Sequence, residues 1–420
     1  MLTSRSKALF HVSFCVKPSP LYRFLSMVSS RFRSLILALL ICCLIFVQVA
    51  QAQPAFADYT MPSSGQVTVP AEGGLTFQMK VNGQGPFATV FDTGAVNVIS
   101  ASFATQLGLK VEDNPIDFGA IGGGIKVHTT HVDTLSIGDL IVRNQTFYVL
   151  NIPSGTGVPQ MLVGWEFLQR FAVRMDFQHN ELTFSDLSHF TYQGSGAAVP
   201  LILNKHGNGV YLDAKVDGIR GRFQLDSGNE TGLFLNAAFV DKHHLPESLH
   251  ATLRGYNGKG LGGDAPEAWF TRLHTLDLGS IVLREPVVRL LTAKDNTLQK
   301  LAGNIGQSTL KHFTVTVDCR HRVMYLEKLP NWDARELFNR AGVIYDGQDS
   351  GDEVKTVFPG SPAEAAGLRR GDLITAINGT KPADDAHDPA FTQPVGTVLH
   401  LTVRRDGVEH TCNVTLGDVL

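Results

Sequence analysis

Two short stretches decide the fold of this 420-residue chain: FDTG at residues 91–94 and LDSG at residues 225–228. Each ends a run that is predicted to be a strand, ATVF at 88–91 and RFQL at 222–225. A single D-[ST]-G triplet is weak evidence, because ordinary residue usage places one by chance in roughly one chain in five of this length. Two triplets at matching positions need another explanation, and the flanking sequence supplies it.

The two stretches belong to an internal repeat between residues 59 and 329. The following segments occur twice and in the same order: KVNG, FDTG, TLSIGDLIVR and GWEFLQRFAVRMD at 80–83, 91–94, 134–143 and 164–176, then KVDG, LDSG, TLDLGSIVLR and GQSTLKHFTVTVD at 215–218, 225–228, 275–284 and 306–318. Short runs rich in β-branched and aromatic residues, separated by Gly, Asn and Pro, predict strands. We expect helical turns only after the downstream glycines, at 165–170 and 308–312. The repeat therefore predicts two similar β lobes, at 59–192 and 193–329.

Asp92 and Asp226 are predicted to face each other where the two lobes meet. Two carboxylates about 3 Å apart share one proton, so that one is a general base and the other a general acid. Such a pair activates water without a metal, a cofactor or a covalent intermediate. The alternative, that both aspartates are ordinary turn residues, does not explain their paired context. The other triplet residues are predicted to support the two loops: Thr93, Gly94, Ser227 and Gly228.

The repeat resembles the pepsin and retropepsin superfamily of aspartic proteases, and is most similar to the bacterial retropepsin-like type. The family's D-[TS]-G signature corresponds to residues 92–94 and 226–228, and its hydrophobic-hydrophobic-Gly element to 162–164 and, less well, to 304–306. Asn304 replaces an apolar residue there, and we expect this to affect only local packing. The resemblance implies a mainly β fold of two acid-protease β-barrel-like lobes with pseudo-two-fold symmetry, a catalytic dyad in the cleft, extended polypeptide substrates and an acidic pH optimum.

The same resemblance implies a β-hairpin flap over the substrate in each lobe. Glycine-dense stretches lie at the expected places, FGAIGGGIKV at 118–127 and GYNGKGLGG at 255–263. Glycine suits a mobile tip that excludes water on closure, and the tip candidates are Gly122, Gly123, Gly260 and Gly262. An ordinary loop remains an alternative, whereas a phosphate-binding loop is disfavoured because no GKS or GKT follows.

The C-terminal part, at 341–420, carries the signature SPAEAAGLRRGD at 361–372. Ser361 can cap a helix that begins at Pro362 and ends before Gly367. A strand at 373–377 follows, with hairpin turns at 378–379 and 406–407. This part resembles the small α+β PDZ domains attached to bacterial envelope proteases.

A PDZ domain implies binding of C-terminal peptides by addition to a sheet edge, with the carboxylate held by backbone N–H groups. The candidates for that loop are Ala341, Gly342 and Val343. Prolines within 382–394 are expected to interrupt the groove-lining helix, so that a purely structural or regulatory role stays open. Residues 330–340, before the domain, are predicted to form a short linker helix.

Residues 1–52 have the order of a secretory signal peptide: basic residues, an apolar run of 13 residues at 35–47, and AQA at 50–52. Met27 is an alternative start. The run is short of the ~20 residues that cross a bilayer as a helix, so a membrane anchor requires that this segment stay uncleaved. The sequence predicts an exported protein, periplasmic or secreted. After removal of the segment Cys319 and Cys412 remain, and we expect free buried thiols rather than a disulfide between separate domains.

Composition narrows the class of function further. A net charge of −3 and a pI near 6.6 leave no positive field for nucleic acid or anionic membrane. No HExxH or GxSxG motif is present, and the histidine pairs 128/131 and 243/244 lack a third ligand at metal spacing. The sequence therefore predicts a monomeric aspartic endopeptidase without metal or cofactor. The alternatives are a peptide-binding protein that does not cleave, and lobes that pair with another chain.

Overall fold

The computed structural model describes residues 58–73, 75–120, 123–152, 160–204, 209–230, 232–260, 263–293, 300–348, 350–382 and 388–420. The predicted signal peptide at 1–52, the start at Met27, and the flap-tip candidates Gly122 and Gly262 lie outside the described residues.

The first copy of the repeat forms lobe 1. Its strands are β1 Tyr59–Thr60, β2 Gln66–Pro70, β3 Thr76–Val81, β4 Gln84–Phe91, β5 Val98–Ser100, β6 Val111–Ala120, β7 Gly123–Ile137, β8 Leu140–Leu150, β9 Met161–Val163, β10 Phe171–Asp176 and β11 Glu181–Asp186, and its helices are α1 Ala101–Gln106 and α2 Trp165–Leu168. Eight strands pair in the order β1-β8-β5-β9-β4-β3-β7-β6, and a further pairing of β7 with β8 closes this sheet into a barrel. Helix α1 begins at Ser100, whose hydroxyl caps the Phe103 N–H at 3.1 Å.

The second copy forms lobe 2. Its strands are β12 Ala197–Pro200, β13 Ile202–Leu203, β14 Val210–Val216, β15 Ile219–Leu225, β16 Leu233–Leu235, β17 Leu253–Gly255, β18 Lys259–Gly260, β19 Gly263–Asp264, β20 Ala268–Arg272, β21 Thr275–Leu278, β22 Ile281–Arg284, β23 Val287–Leu291, β24 Gly303–Ile305, β25 Phe313–Asp318 and β26 Val323–Lys328, and its helices are α3 Ala237–His243, α4 Leu245–Ser248 and α5 Gln307–Leu310. The helical turns expected after both downstream glycines are therefore present as α2 and α5. The predicted mainly β fold is confirmed.

A six-stranded sheet joins the lobes, in the order β12-β26-β25-β10-β11-β2. At its centre β10 pairs antiparallel with β25, with Val173 opposite Val317 and Met175 opposite Val315. Val173 and Val315 are equivalent in the repeat, as are Met175 and Val317. Each pair therefore repeats the other with the lobes exchanged, which places a pseudo-two-fold axis between the two strands.

The C-terminal domain is a five-stranded sheet in the order β27-β28-β29-β30-β31, formed by Val343–Gln348, Gly351–Val357, Leu373–Ile377, Val398–Arg405 and Val408–Thr415. Helix α6 spans Pro362–Ala365 and begins at Ser361, whose hydroxyl accepts the Glu364 N–H, as predicted. Asn378-Gly379 and Asp406-Gly407 have positive φ, as two-residue hairpin turns require. Within 382–394 a single turn of 3₁₀ helix spans Pro389–Thr392. Residues 383–387 lie outside the described residues.

The C-terminal domain packs on lobe 2 through an apolar cluster. Phe358 is fully buried and contacts Phe270 of β20 at 5.6 Å between ring centroids. Beside this cluster, the Tyr256 N–H donates to Thr356 Oγ1 at 2.9 Å. Gly255 is needed at this contact, since a Cβ there would lie 2.6 Å from the Thr356 methyl.

The predicted linker helix at 330–340 is wrong, because these residues form turns and an extended strap along lobe 2. A helix of this length has little stability of its own, and lobe 2 offers its side chains better partners. Glu336 accepts the Val287 N–H at 2.9 Å, Trp332 packs against Phe313, and Phe338 lies 6.0 Å from Phe270. Cys319 and Cys412 are free and buried, as expected from the sequence.

Candidate active site

Each D-[ST]-G triplet follows a strand that pairs in parallel with the strand before the downstream glycine. Phe91 of β4 lies beside Val163 of β9, and Leu225 of β15 lies beside Ile305 of β24. The chain then turns, and the Asp92 and Asp226 N–H groups donate back to the Val163 and Ile305 carbonyls at 2.9 and 3.0 Å. Both aspartates are thus delivered by the same local structure, to the same end of their lobes.

The two triplets are locked together by reciprocal hydrogen bonds. The Thr93 hydroxyl donates to the Leu225 carbonyl at 3.0 Å and accepts the Ser227 N–H at 2.9 Å. In the opposite direction, the Ser227 hydroxyl donates to the Phe91 carbonyl at 3.1 Å and accepts the Thr93 N–H at 3.0 Å. Thr93 and Ser227 are fully buried. Because each hydroxyl satisfies two backbone groups of the other lobe, the loops cannot separate without leaving buried polar groups unpaired.

The structure brings the carboxyls of Asp92 and Asp226 into hydrogen-bonding contact, and the Gly228 N–H lies 3.1 Å from Oδ1 of each. Asp92 Oδ1 also accepts the N–H groups of Gly94 at 2.8 Å and of Gly228 at 3.1 Å. Each glycine lies against the carboxyl of the opposite lobe: a Cβ on Gly94 would lie 2.5 Å from Asp226 Cγ, and one on Gly228 would overlap the Asp92 carboxyl. The triplet glycines therefore make the approach of the two acids sterically possible.

The two carboxyls differ in their electrostatic environment. Burial, followed by the adjacent charge of Asp226, raises the pKa of Asp92 well above its usual range. Burial also raises the pKa of Asp226, but hydrogen bonds from Asn304, Asp92 and backbone N–H groups oppose that rise. A pair of this kind holds one proton across a pH range in which two isolated carboxyls would both be ionised.

Asn304 is a member of the site whose role we did not predict from the sequence. It is fully buried on β24, and its side-chain amide donates to Asp226 Oδ2 in a short hydrogen bond. Our expectation that this residue affects only local packing is wrong, because its amide N–H points at a catalytic candidate. The available signal was that a polar residue replaces an apolar one in only one copy of the repeat.

Further polar contacts lie on the lobe 2 side. Gln224 of β15 reaches across to lobe 1 and donates to the Gly94 carbonyl at 2.8 Å. Gln307 of α5 donates to the Ser227 carbonyl at 2.6 Å. On the lobe 1 side the residues equivalent to Gln224 and Asn304 are Val90 and Leu162, which belong to a buried apolar cluster. The backbone of the site is therefore close to symmetric, whereas its supporting side chains are not.

Hairpins occupy both places where flaps were predicted. In lobe 1, β6 and β7 pair up to Ala120 opposite Gly123. In lobe 2, β18 and β19 form a short hairpin with Gly260 opposite Gly263. Gly123 and Gly260 thus stand next to hairpin ends, and their function as flap tips stays a prediction.

Two family models match parts of the chain. Residues 77–167, within lobe 1, match the sequence model of the family described as aspartyl protease, and residues 353–405 match that of the PDZ domain. The chain carries an aspartyl protease domain and a PDZ domain. The resemblance drawn from the sequence is therefore confirmed.

Curated relatives and solved structures of several kinds are similar to this chain. It is 23% identical over 346 residues to the serine protease Do-like HtrA of Lactococcus lactis, covering 80% of this chain and 78% of that protein. It is 36% identical over 70 residues to the serine protease HTRA1 of Xenopus tropicalis, covering 17% of this chain and 15% of that protein. An aspartic proteinase from Irpex lacteus is 14% identical, with a TM-score of 0.44 over 64% of this chain and 99% of its own. A retropepsin-like aspartic protease from Rickettsia conorii is 21% identical, with a TM-score of 0.23 over 29% of this chain and 91% of its own.

The PDZ loop candidates lead into the edge strand β27. The N–H groups of Ala341 and Gly342 both donate to Asn339 Oδ1, at 3.0 and 3.1 Å. Val343 is the first residue of β27 and is buried. A peptide carboxylate at this loop would have to replace the Asn339 side chain, and peptide binding by the three candidates stays a prediction.

Among the residues that the structure describes, no group of three His, Cys, Asp or Glu side chains is arranged to hold a metal ion. The helices of this part of the chain are all too short or too polar to cross a bilayer.

Proposed function

We propose that this protein is an aspartic-type endopeptidase that cleaves polypeptides with a water activated between Asp92 and Asp226. The observation that carries the proposal is the contact of these two carboxyls, of which Asp226 is buried and Asp92 partly buried. The reciprocal Thr93 and Ser227 hydrogen bonds hold them together.

The reaction needs one ionised and one protonated carboxyl. The ionised carboxylate takes a proton from the bound water as the water oxygen bonds to the peptide carbon. The protonated carboxyl gives its proton to the carbonyl oxygen, which produces a neutral diol. When the diol collapses, the carboxyl that took the water proton gives it to the amide nitrogen, the other carboxylate takes a proton from a diol hydroxyl as the carbonyl re-forms, and the C–N bond breaks. The dyad again holds one proton, and only the peptide and the water are consumed.

The hydrogen-bond geometry supports an aspartic rather than a serine mechanism. A serine, a histidine and an aspartate do meet at the turn after β11, but His189 Nδ1 contacts both Ser188 Oγ at 2.9 Å and Asp186 Oδ2 at 3.1 Å. A triad needs the two ring nitrogens to face different partners, one the serine and the other the carboxylate. These three side chains instead close a local turn on the surface.

The PDZ domain is proposed to select or present polypeptide substrates, by binding extended peptides at β27. The N-terminal sequence leads us to propose that the enzyme is exported and acts in the periplasm or outside the cell. On this view a signal segment would be removed before the lobes act.

The test is hydrolysis of an unfolded protein at mildly acid pH by the wild type, Asp92→Asn and Asp226→Asn. Each variant is expected to lose at least about 100-fold in rate, since general acid–base catalysis commonly contributes that much or more. Asp213→Asn, which removes an exposed carboxylate paired with Arg222, is the matched control and should retain wild-type activity. Equal activity in all four proteins, or inactivation of the wild type by a serine-directed fluorophosphonate, would overturn the proposal.

A further inference from the structure

Asn304 makes the two carboxyls of the dyad different, because it contacts Oδ2 of Asp226 and has no counterpart at Asp92. Its Nδ2 donates to Asp226 Oδ2, while Asp226 Oδ1 accepts the N–H groups of Gly228 and Asn229 at 3.1 and 3.0 Å. Leu162 holds the equivalent position in lobe 1 and has no hydrogen to donate to Asp92. The two acids are thus chemically different, although the repeat places them alike.

The orientation of the Asn304 amide follows from its neighbours. A backbone carbonyl can only accept, so the contact of Asn229 with the Gly232 carbonyl at 2.6 Å requires Asn229 Nδ2 on that side. The same Nδ2 donates to Asn304 Oδ1 at 2.9 Å. With its oxygen engaged by Asn229, Asn304 presents its N–H₂ group to Asp226. Both partners of Asn304 therefore agree on one orientation.

We propose that Asn304, oriented by Asn229, is a positioning residue that assigns the shared proton: Asp226 is the ionised general base and Asp92 the protonated general acid. The inference deepens the proposed function and rests on it. A hydrogen bond from a neutral amide stabilises a carboxylate more than a carboxylic acid, so the donor favours ionisation of the carboxyl that it touches. The opposing directions in which Asn304 and Asp226 act on the pKa values of Asp226 and Asp92 agree with this assignment.

Other charges do not account for the asymmetry. Among the leading causes of the raised pKa of Asp92, the charged group is Asp226 itself. Within the described residues, the Asp226 carboxyl has four hydrogen-bond partners. They are Asp92 from lobe 1, the backbone N–H groups of Gly228 and Asn229, and Asn304 from β24. Of these only Asp92 titrates. The assignment therefore rests on uncharged donors that are present at every pH.

The experiment is the pH profile of kcat/KM for the full chain, with an unfolded protein as substrate. In the wild type the lower limb reports ionisation of the first carboxyl of the free enzyme and the upper limb that of the second. Asn304→Leu copies lobe 1 and removes the donor to Asp226, so the lower apparent pKa should rise by about one unit or more. The upper limb should move little, since Asp226 is ionised on both sides of that step.

Gln224→Val is the matched control. It also replaces a buried polar residue of lobe 2 by its lobe 1 counterpart and removes a cross-lobe hydrogen bond, but that bond ends on the Gly94 carbonyl rather than on a carboxylate. The kcat/KM of Gln224→Val can fall, while the lower apparent pKa of its pH profile stays at the wild-type value. Asn304→Ala is a second variant in case Asn304→Leu does not fold, and it should shift the same limb in the same direction.

The outcomes separate the two proposals. If Asp92→Asn and Asp226→Asn retain activity, the proposed function itself fails. If they are inactive but the lower limb of folded Asn304→Leu or Asn304→Ala coincides with that of the wild type, only the role of Asn304 fails. A shift in the upper limb alone would also overturn that role, because it would place the amide next to the last carboxyl to ionise.

Discussion

Lobe 1 and lobe 2 carry the same loop around their aspartates and different side chains beneath it. In lobe 1, Val90 of β4 lies opposite Leu162 of β9, and both join an apolar cluster with Val127 of the β6–β7 hairpin. In lobe 2 the register is the same, but the facing pair is Gln224 and Asn304. The duplicated backbone thus sets where the acids lie, and the diverged side chains set how each acid behaves.

The lobes differ again at the base of their hairpins. In lobe 2 the strands β17 and β20 are covered by the PDZ domain, with Leu253 and Phe270 packed against Phe358. In lobe 1 the equivalent strand β6 leaves Val111 and Ile116 exposed. One lobe therefore leaves apolar side chains of this strand exposed, while the other uses the equivalent region to attach a further domain.

The largest effect that tests this comparison is expected at the triplet glycines. Gly94→Ala and Gly228→Ala each add a methyl group in contact with the carboxyl of the opposite lobe. We expect each to lose about 100-fold or more in kcat/KM, because a displacement near 1 Å has such a cost in a catalytic site. Gly73→Ala is the control, since a Cβ there meets no atom within 4 Å. A loss of kcat/KM in only one of the two variants would mean that the two triplet loops contribute unequally to activity.

Removal of the interface aromatic, Phe358→Ala, should reduce the free energy of unfolding by about 3 kcal/mol. Phe358 is fully buried between lobe 2 and the linker, so truncation leaves a cavity at the junction. Urea denaturation measures the change. Leu337→Ala, at a position that is 53% exposed, should stay within about 0.5 kcal/mol of the wild type. A stable Phe358→Ala protein would show that the PDZ domain adds nothing to lobe 2.

The reciprocal lock between the lobes gives the next effect. Thr93→Val and Ser227→Ala each leave a buried carbonyl and a buried N–H without a partner, and each should cost about 2 kcal/mol in urea denaturation. The two losses should be equal, because the contacts are equivalent. Thr68→Val removes an exposed hydroxyl pair with Thr183 and is expected to be nearly neutral. Unequal losses of stability would show that the two lobes also differ in these reciprocal hydrogen bonds.

The subtlest test is the pH dependence of stability. Asp92 has a folded-state pKa above its unfolded value of about 3.9. Its contribution is therefore complete at low pH and is lost as pH rises through the raised folded-state pKa. Asp92→Asn removes this loss, so its stability relative to the wild type should increase between about pH 3 and pH 7.

Asp226→Asn should gain less over the same pH range, because the donors around Asp226 stabilise its carboxylate and oppose the rise of its folded-state pKa. Urea denaturation at both pH values distinguishes the two variants. Identical pH dependence would contradict the difference between the lobes.

Much of this architecture could be predicted from the sequence, because the internal repeat contains each motif in two copies. The strands before Asp92 and Asp226, the helical turns after Gly164 and Gly306, and the contact of the triplets follow from two copies that agree in order and spacing. The PDZ fold followed from local turn and capping residues, such as Ser361, whose effects do not depend on distant partners.

The linker and Asn304 could not be predicted in the same way, since both depend on contacts between residues far apart in sequence. Glu336 of the linker bonds the Val287 N–H, and this contact replaces the predicted helix. The sequence position of Asn304 does not indicate a role in the site. Its contact with Asp226 is visible only once β24 is paired with β15. A local sequence pattern does not indicate which side chains face each other when their strands are far apart in the sequence.

The amide beside Asp226 also has a consequence for inhibitor chemistry. On the proposed assignment, a compound with its own two-fold axis, such as one built around a central diol, would meet an acceptor carboxylate on one side and a donor carboxylic acid on the other. Its two halves could not make equivalent hydrogen bonds. Tight inhibitors of the proposed dyad should therefore be directional, with a single hydroxyl that donates towards lobe 2 and accepts from lobe 1.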